Sequence, residues 1–181
     1  IVYPLIEILT ASVTLILFSN YWLNMELILT ILLFYNLIVL SFIDFKYRAV
    51  PDYLLIIAVI IALLIGDLKN TLLFAGGFIL LELFITFYIQ NIKAKITKNK
   101  ALESQAALGE GDIPIVAVIG GILGIHLGIS AIFLAALLAL LPALYNLISK
   151  KEIETAFIPF LSLGFFITLI TEFNIFFFLS I

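Results

Sequence analysis

From Ile113 to Ser149 this chain runs without one Asp, Glu, Lys or Arg. An α-helix of that length, rising 1.5 Å per residue, would overshoot the ~30 Å hydrocarbon core of a bilayer, so the stretch must fold back on itself. Gly128-Ile129-Ser130 is the natural place for that turn. The rest of the chain is built from the same material: 65% of the 181 residues are hydrophobic and 12% are charged. A soluble globule of this size has nowhere to hide so much apolar surface, and the composition describes an integral membrane protein.

Apolar runs broken by polar clusters give about seven candidate spans, near 3–19, 25–44, 52–66, 71–91, 113–127, 129–149 and 156–178. No period-two alternation persists, which argues against a barrel of strands. The expected fold is an all-α polytopic bundle of about seven transmembrane helices, one transmembrane domain over residues 1–181. Glu7 sits in the first run without a basic region before it or a small-residue cleavage signal after it, so this run reads as a genuine span and not a removable signal. If the spans alternate, Lys46, Arg48, Lys93, Lys95, Lys98, Lys100, Lys150 and Lys151 share one side and only Lys69 lies on the other. That asymmetry places the lysine-rich side in the cytoplasm. The polar segment of about 93–111, with Glu103, Ser104, Gln105 and Glu110, reads as a mobile cytoplasmic connection. Gly120, Gly124 and Gly128, at four-residue spacing, mark the fifth span as one that packs centrally, because small residues let helix backbones approach.

Chemistry has few residues to draw on. There is no cysteine and one histidine, His126, which removes thiolate nucleophiles, cysteine-bound zinc and multi-histidine metal sites. Carboxylates remain. Asp44 ends the apolar run before Phe45-Lys46-Tyr47-Arg48, and Asp112 closes Gly109-Glu110-Gly111-Asp112 just before the fifth span. On the alternating topology both lie at the cytoplasmic end. An acid beside hydrocarbon is costly, about 3 kcal/mol if carried to mid-membrane, so each needs a reason to be there. For Asp112 a bland reason exists: it stands where a helix cap belongs, with Pro114 just inside the helix. Asp44 is at the wrong end of its helix for a negative charge, and its bland reading is an interfacial acid paired with Lys46 or Arg48. Asp52, after Pro51, suits the first turn of the third helix, with substrate contact as the alternative. Glu82 falls in mid-span, where an acid is expected to face the bundle, and His126 reads as structural.

An Asp followed by a turn ending in Val50-Pro51-Asp52, then Gly109-x-Gly111-Asp112 opening a glycine-rich apolar helix, resembles the type IV prepilin peptidases and their preflagellin peptidase relatives. Ile113 to Gly121 is similar to the family's helix after its second aspartate, and Ile158-Pro159-Phe160 to its late Pro-Phe segment. The resemblance implies a membrane aspartic endopeptidase with Asp44 and Asp112 as the catalytic pair. Gly109, Gly111 and Pro51 would support them, and Asp52 and Glu110 would be available to substrate. It needs no metal and no cofactor. Its partners would be prepilin-like or preflagellin-like membrane proteins in the bilayer of the cell membrane, not nucleic acid, cut at the cytoplasmic face to release short basic leaders. Two carboxylates a few Å apart share one proton, so the pair holds both a base to activate water and an acid to polarise the scissile carbonyl. With Asp112 at a helix N-terminus and Asp44 at a C-terminus, the expected carboxylate is Asp112 and the expected acid Asp44.

The full bacterial enzymes carry a cysteine-bearing segment associated with N-methylation. This cysteine-free chain has no counterpart, so methyl transfer is not expected. Preflagellin peptidases tend to place the first aspartate in their first span, whereas here one span precedes it. Presenilin-like proteases share Gly-x-Gly-Asp, and Pro142-Ala143-Leu144 resembles their third motif, but Ile43 stands where they carry Tyr. The reading from a different class is a small proton-coupled transporter using Asp44, Glu82 and Asp112 as relay sites. What separates the two is whether Asp44 and Asp112 converge at one depth.

Overall fold

The computed structural model describes residues 2–93, 109, 111–148 and 156–179, and all regular structure among them is helical. The helices are α1 (Val2–Asn20), α2 (Met25–Tyr47), α3 (Asp52–Ile65), α4 (Leu68–Phe87) running into a π-helical turn (Tyr88–Lys93), α5 (Asp112–Ile148), α6 (Ile158–Thr171) and the short α7 (Ile175–Leu179). Among the described residues three helical stretches are long and apolar enough to cross a membrane, at Met25–Tyr47, Leu68–Asn91 and Asp112–Asn146, and three shorter apolar helices accompany them. Among the described residues the structure is thus a multi-pass helical arrangement, and the expected count of seven spans is not confirmed: three stretches have the length to cross, and one of them, Asp112–Asn146, is broken at Gly124.

Two boundaries differ from those expected, for local reasons. The fold-back in α5 is not at Gly128-Ile129-Ser130 but at Gly124, whose φ of 74° and ψ of −174° break the helix. Residues eight apart in a straight helix stand about 12 Å from each other. Here a methyl placed on Gly128 would lie 3.3 Å from the Cα of Gly120, so the two limbs of α5 lie against each other. The reversal withdraws the usual partner of the Gly121 carbonyl, and the Asp67 N–H takes its place at 2.8 Å. Gly128 is therefore a contact residue and not a turn residue. The last expected span, 156–178, is interrupted: Glu172 adopts φ 51° and closes α6, and the chain restarts at Ile175, whose N–H donates to Ser130 Oγ at 3.0 Å.

The centre of the bundle is the first limb of α5, where every residue from Ile115 to Gly121 is buried. Burial from lipid earns little hydrophobic energy, since hydrocarbon tails are as apolar as the residues themselves, so close approach must do the holding. Phe74 of α4 lies against Gly120 and Gly128, and Thr71 against Gly121. The face of α6 around Gly164 fits the second limb of α5 at Ala131 and Ala135. Phe34 of α2 stacks on Phe165 with ring centroids 4.9 Å apart and meets Phe166 edge-on at 5.2 Å. Leu15, Leu64, Phe84 and Ile148 are exposed outward, as lipid-facing residues are. Glu82 is half-buried on α4, and His126 is exposed with its ring 5.2 Å from that of Phe176.

Candidate active site

Asp44 occupies the last turn of α2, one residue type out of place among Leu33, Leu37 and Leu40 on the buried face of that helix. The side chain is only 9% exposed. Its own helix offers the carboxylate no N–H donor, because the C-terminal end of a helix presents carbonyls; the Arg48 N–H closes that end by donating to the Asp44 carbonyl at 2.9 Å as Arg48 turns left-handed at φ 55°. The partner comes from across the bundle. Phe157, the residue before α6, has no side chain able to cap a helix, and the Asp44 carboxylate fills that role, Oδ2 accepting from the Ile158 N–H at 3.2 Å. The Phe157 amide interacts with the same carboxylate, and so does the charge of Arg48. Pro159 follows in the first turn, where its missing N–H leaves no orphan donor. The bland reading, an acid ion-paired with Lys46 or Arg48, is not what the structure shows: neither forms an ion pair with Asp44, Arg48 acts on it by its charge from farther away, and the cap of α6 is the contact that sequence reading missed. The signal for it was a helix start with Pro and no capping residue of its own.

Asp112 opens α5 through a closed turn. The Asp112 N–H donates to the Gly109 carbonyl at 3.0 Å, and Asp112 Oδ2 accepts from the Gly109 N–H at 3.2 Å. Between them Gly111 is buried against Val50 and Ile158, so tightly that a methyl group on it would overlap Val50 Cγ2. Gly111 is what lets three segments meet: the turn before α3, the start of α5 and the start of α6. Asp44 is close enough to Asp112 for its charge to act on it. The structure therefore brings Asp44 and Asp112 to the same end of the bundle, with Gly109 and Gly111 beside them.

Pro51 caps α3 from the same region with extended backbone, which directs Val50 onto Gly111. Asp52 is exposed in the first turn of α3. Glu110, together with most of the polar segment expected at 93–111, lies outside the described residues. Glu82, on α4, is not part of this cluster. Among the described residues no group of three or more His, Asp or Glu side chains could hold a metal ion.

An apolar helical bundle with paired carboxylates at one end fits a membrane-embedded hydrolase. The model of the type IV leader peptidase family matches residues 31–144, and the chain belongs to that family. It is accordingly a leader-peptidase-type protease, and its apolar helices make it a multi-pass membrane protein. No curated protein and no solved structure matches the chain.

Proposed function

We propose that this protein is an aspartic endopeptidase that cuts short basic leaders from prepilin-like or preflagellin-like membrane proteins at the cytoplasmic face of the cell membrane. The observation that carries this reading is the meeting of Asp44 and Asp112, from helices far apart in sequence, at one end of the bundle. A proton relay would instead spread its acids along a pathway.

The two carboxylates share one proton, since two negative charges so placed repel. Asp44 faces the amides of Phe157 and Ile158 at the positive end of α6 and has Arg48 nearby, whereas among the described residues the Asp112 carboxylate accepts from the Gly109 amide. These donors favour Asp44 as the carboxylate and leave the proton on Asp112, the reverse of the assignment drawn from each residue's own helix. Asp44 then takes a proton from water as it attacks the scissile carbonyl, and Asp112 donates to the carbonyl oxygen. When the tetrahedral intermediate collapses, the C–N bond breaks, the proton held by Asp44 passes to the leaving amine, and Asp112 takes back a proton from the hydroxyl that reforms the carbonyl. Lys46 and Arg48 lie at this end, and by the positive-inside rule they support its facing the cytoplasm, where a substrate's apolar helix leaves the membrane.

The test is incubation of the purified protein with candidate prepilins and preflagellins, followed by mass spectrometry of the new N-terminus. Release of a leader by the wild type but not by Asp44→Asn supports the reading. Equal release by both overturns it.

A further inference from the structure

A groove of about 480 Å3 opens on the side of the bundle between α1, α2 and α6. Each helix contributes a stripe at helical spacing: Val13 and Ile16 from α1, Phe34 and Ile38 from α2, Leu163 and Phe166 from α6. Its polar groups are withdrawn. Ser12 Oγ donates to the Ile8 carbonyl at 2.7 Å, Ser41 Oγ donates to the Leu37 carbonyl at 2.7 Å, and Ser41 and Ser162 hydroxyl oxygens lie 3.2 Å apart, tying α2 to α6. An occupant finds hydrocarbon surface and nothing to bond an exposed peptide group, so an extended peptide would leave its own N–H and C=O groups unpaired. A helix, whose backbone bonds are internal, would not.

The groove is continuous with the carboxylate site. Leu37 and Ser41, both on its lining, stand two turns and one turn before Asp44 on the same face of α2. Pro159, at its other wall, follows Ile158, whose amide holds Asp44. From Phe34 to Phe45 the lining extends about 16 Å along α2, roughly half the hydrocarbon core. A molecule lying in it has one end at the carboxylates. For an acyl chain that end has no bond to present. For a protein cut by this family, it is the start of the apolar segment that follows the leader.

We propose that this groove receives the apolar helix of the protein substrate, so that α1, α2 and α6 hold that helix alongside them and set its first turn, with the scissile bond, at Asp44 and Asp112. The proposal rests on the endopeptidase reading above and adds to it where the substrate is held.

Two measurements test it. Filling the groove with Ile38→Trp or Leu163→Trp should raise KM for a prepilin about tenfold with kcat nearly unchanged, while Leu72→Trp, on the exposed face of α4, leaves both at wild-type values. The second needs no turnover. Because the chain has no cysteine, Leu163→Cys in an Asp112→Asn background can be oxidised against prepilins carrying a single cysteine at successive positions of the apolar segment. Cross-links should recur every three or four residues. Groove variants with wild-type KM together with no periodic cross-link overturn the proposal, and are what an acyl-chain occupant would give. Where the tryptophan variants fail to fold, the cross-link pattern alone decides. The outcomes separate from the parent reading: cleavage without cross-links removes the groove and keeps the endopeptidase, whereas periodic cross-links without any cleavage keep the groove and remove the endopeptidase.

Discussion

Gly111→Ala is the sharpest perturbation of the candidate site, because the structure names the atom it would strike. A methyl on Gly111 overlaps Val50 Cγ2 and stands 3.4 Å from Ile158 Cδ1. Val50 has little freedom to retreat, since Pro51 restricts the backbone of the residue before it. Overpacking of this kind costs about 1–3 kcal/mol. The strain falls between Asp112, next in the chain, and Ile158, which holds Asp44. A displacement near 1 Å between reacting groups lowers turnover on the order of a hundredfold. Leader cleavage should therefore fall about a hundredfold in Gly111→Ala, alongside a lower melting temperature in detergent. A second substitution should relieve the clash. Removing Cγ2 by Val50→Ala leaves Val50 Cβ at 3.7 Å from the new methyl, an ordinary contact. The double variant should regain most of the lost activity, a coupling within about 0.5–3 kcal/mol for touching residues. Gly109→Ala, at an exposed position 3.1 Å from Asp112 Oδ2, should lose less than Gly111→Ala. If Gly111→Ala cleaves like the wild type, or the double variant loses the product of the two single losses, the crowding described here does not set the position of Asp112.

Asp44→Asn and Asp112→Asn should each lower leader cleavage by at least about a hundredfold while the protein still inserts, and substantial cleavage by either would remove the shared-proton pair. Gly124 lies in a backbone region reached essentially by glycine alone, so Gly124→Ala should lower stability by about 1–3 kcal/mol, read as a shifted melting curve; an unchanged curve would mean that the reversal in α5 is not fixed by this residue. Lys98→Cys should be labelled by an impermeant thiol reagent only from the cytoplasmic side, as the basic-residue asymmetry requires, and labelling from outside intact cells would invert the topology.

Composition points to a membrane protein, long apolar runs without a two-residue alternation point to helices, and the two aspartates are visible as acids that hydrocarbon should not tolerate. Glycine spacing rightly placed the first limb of α5 at the centre, because small residues announce close packing whatever surrounds them. The turn itself was harder to read. Gly120, Gly121, Gly124 and Gly128 are all able to break a helix, and the choice of Gly124 depends on Phe74 and Thr71 of α4 filling the space over the others, and on Asp67 being at hand for the freed Gly121 carbonyl. Those partners are distant in sequence. The break at Glu172 is of the same kind, since the restart at Ile175 draws on Ser130.

Asp44 shows most directly what a sequence withholds. Within its own helix it is misplaced, a negative charge at the carbonyl end. In the bundle it stands at the amide end of another helix, one that begins at Phe157 without a cap. The two defects answer each other: α2 supplies the acceptor that α6 lacks, and α6 supplies the donors that α2 cannot. This exchange bears on the chemistry proposed here. The groups that hold Asp44 are backbone amides, which point where the helix points and lose no side-chain freedom in doing so, as preorganised donors must. It also joins the site to the groove, because α6 provides both the amide on Asp44 and, at Leu163 and Phe166, one wall of the binding surface. A substrate helix that leans on that wall leans on the element that positions the base. On this arrangement, a groove variant that tilts α6 instead of only filling space should lower kcat as well as raise KM, and the ratio of the two effects would measure how rigidly α6 is held.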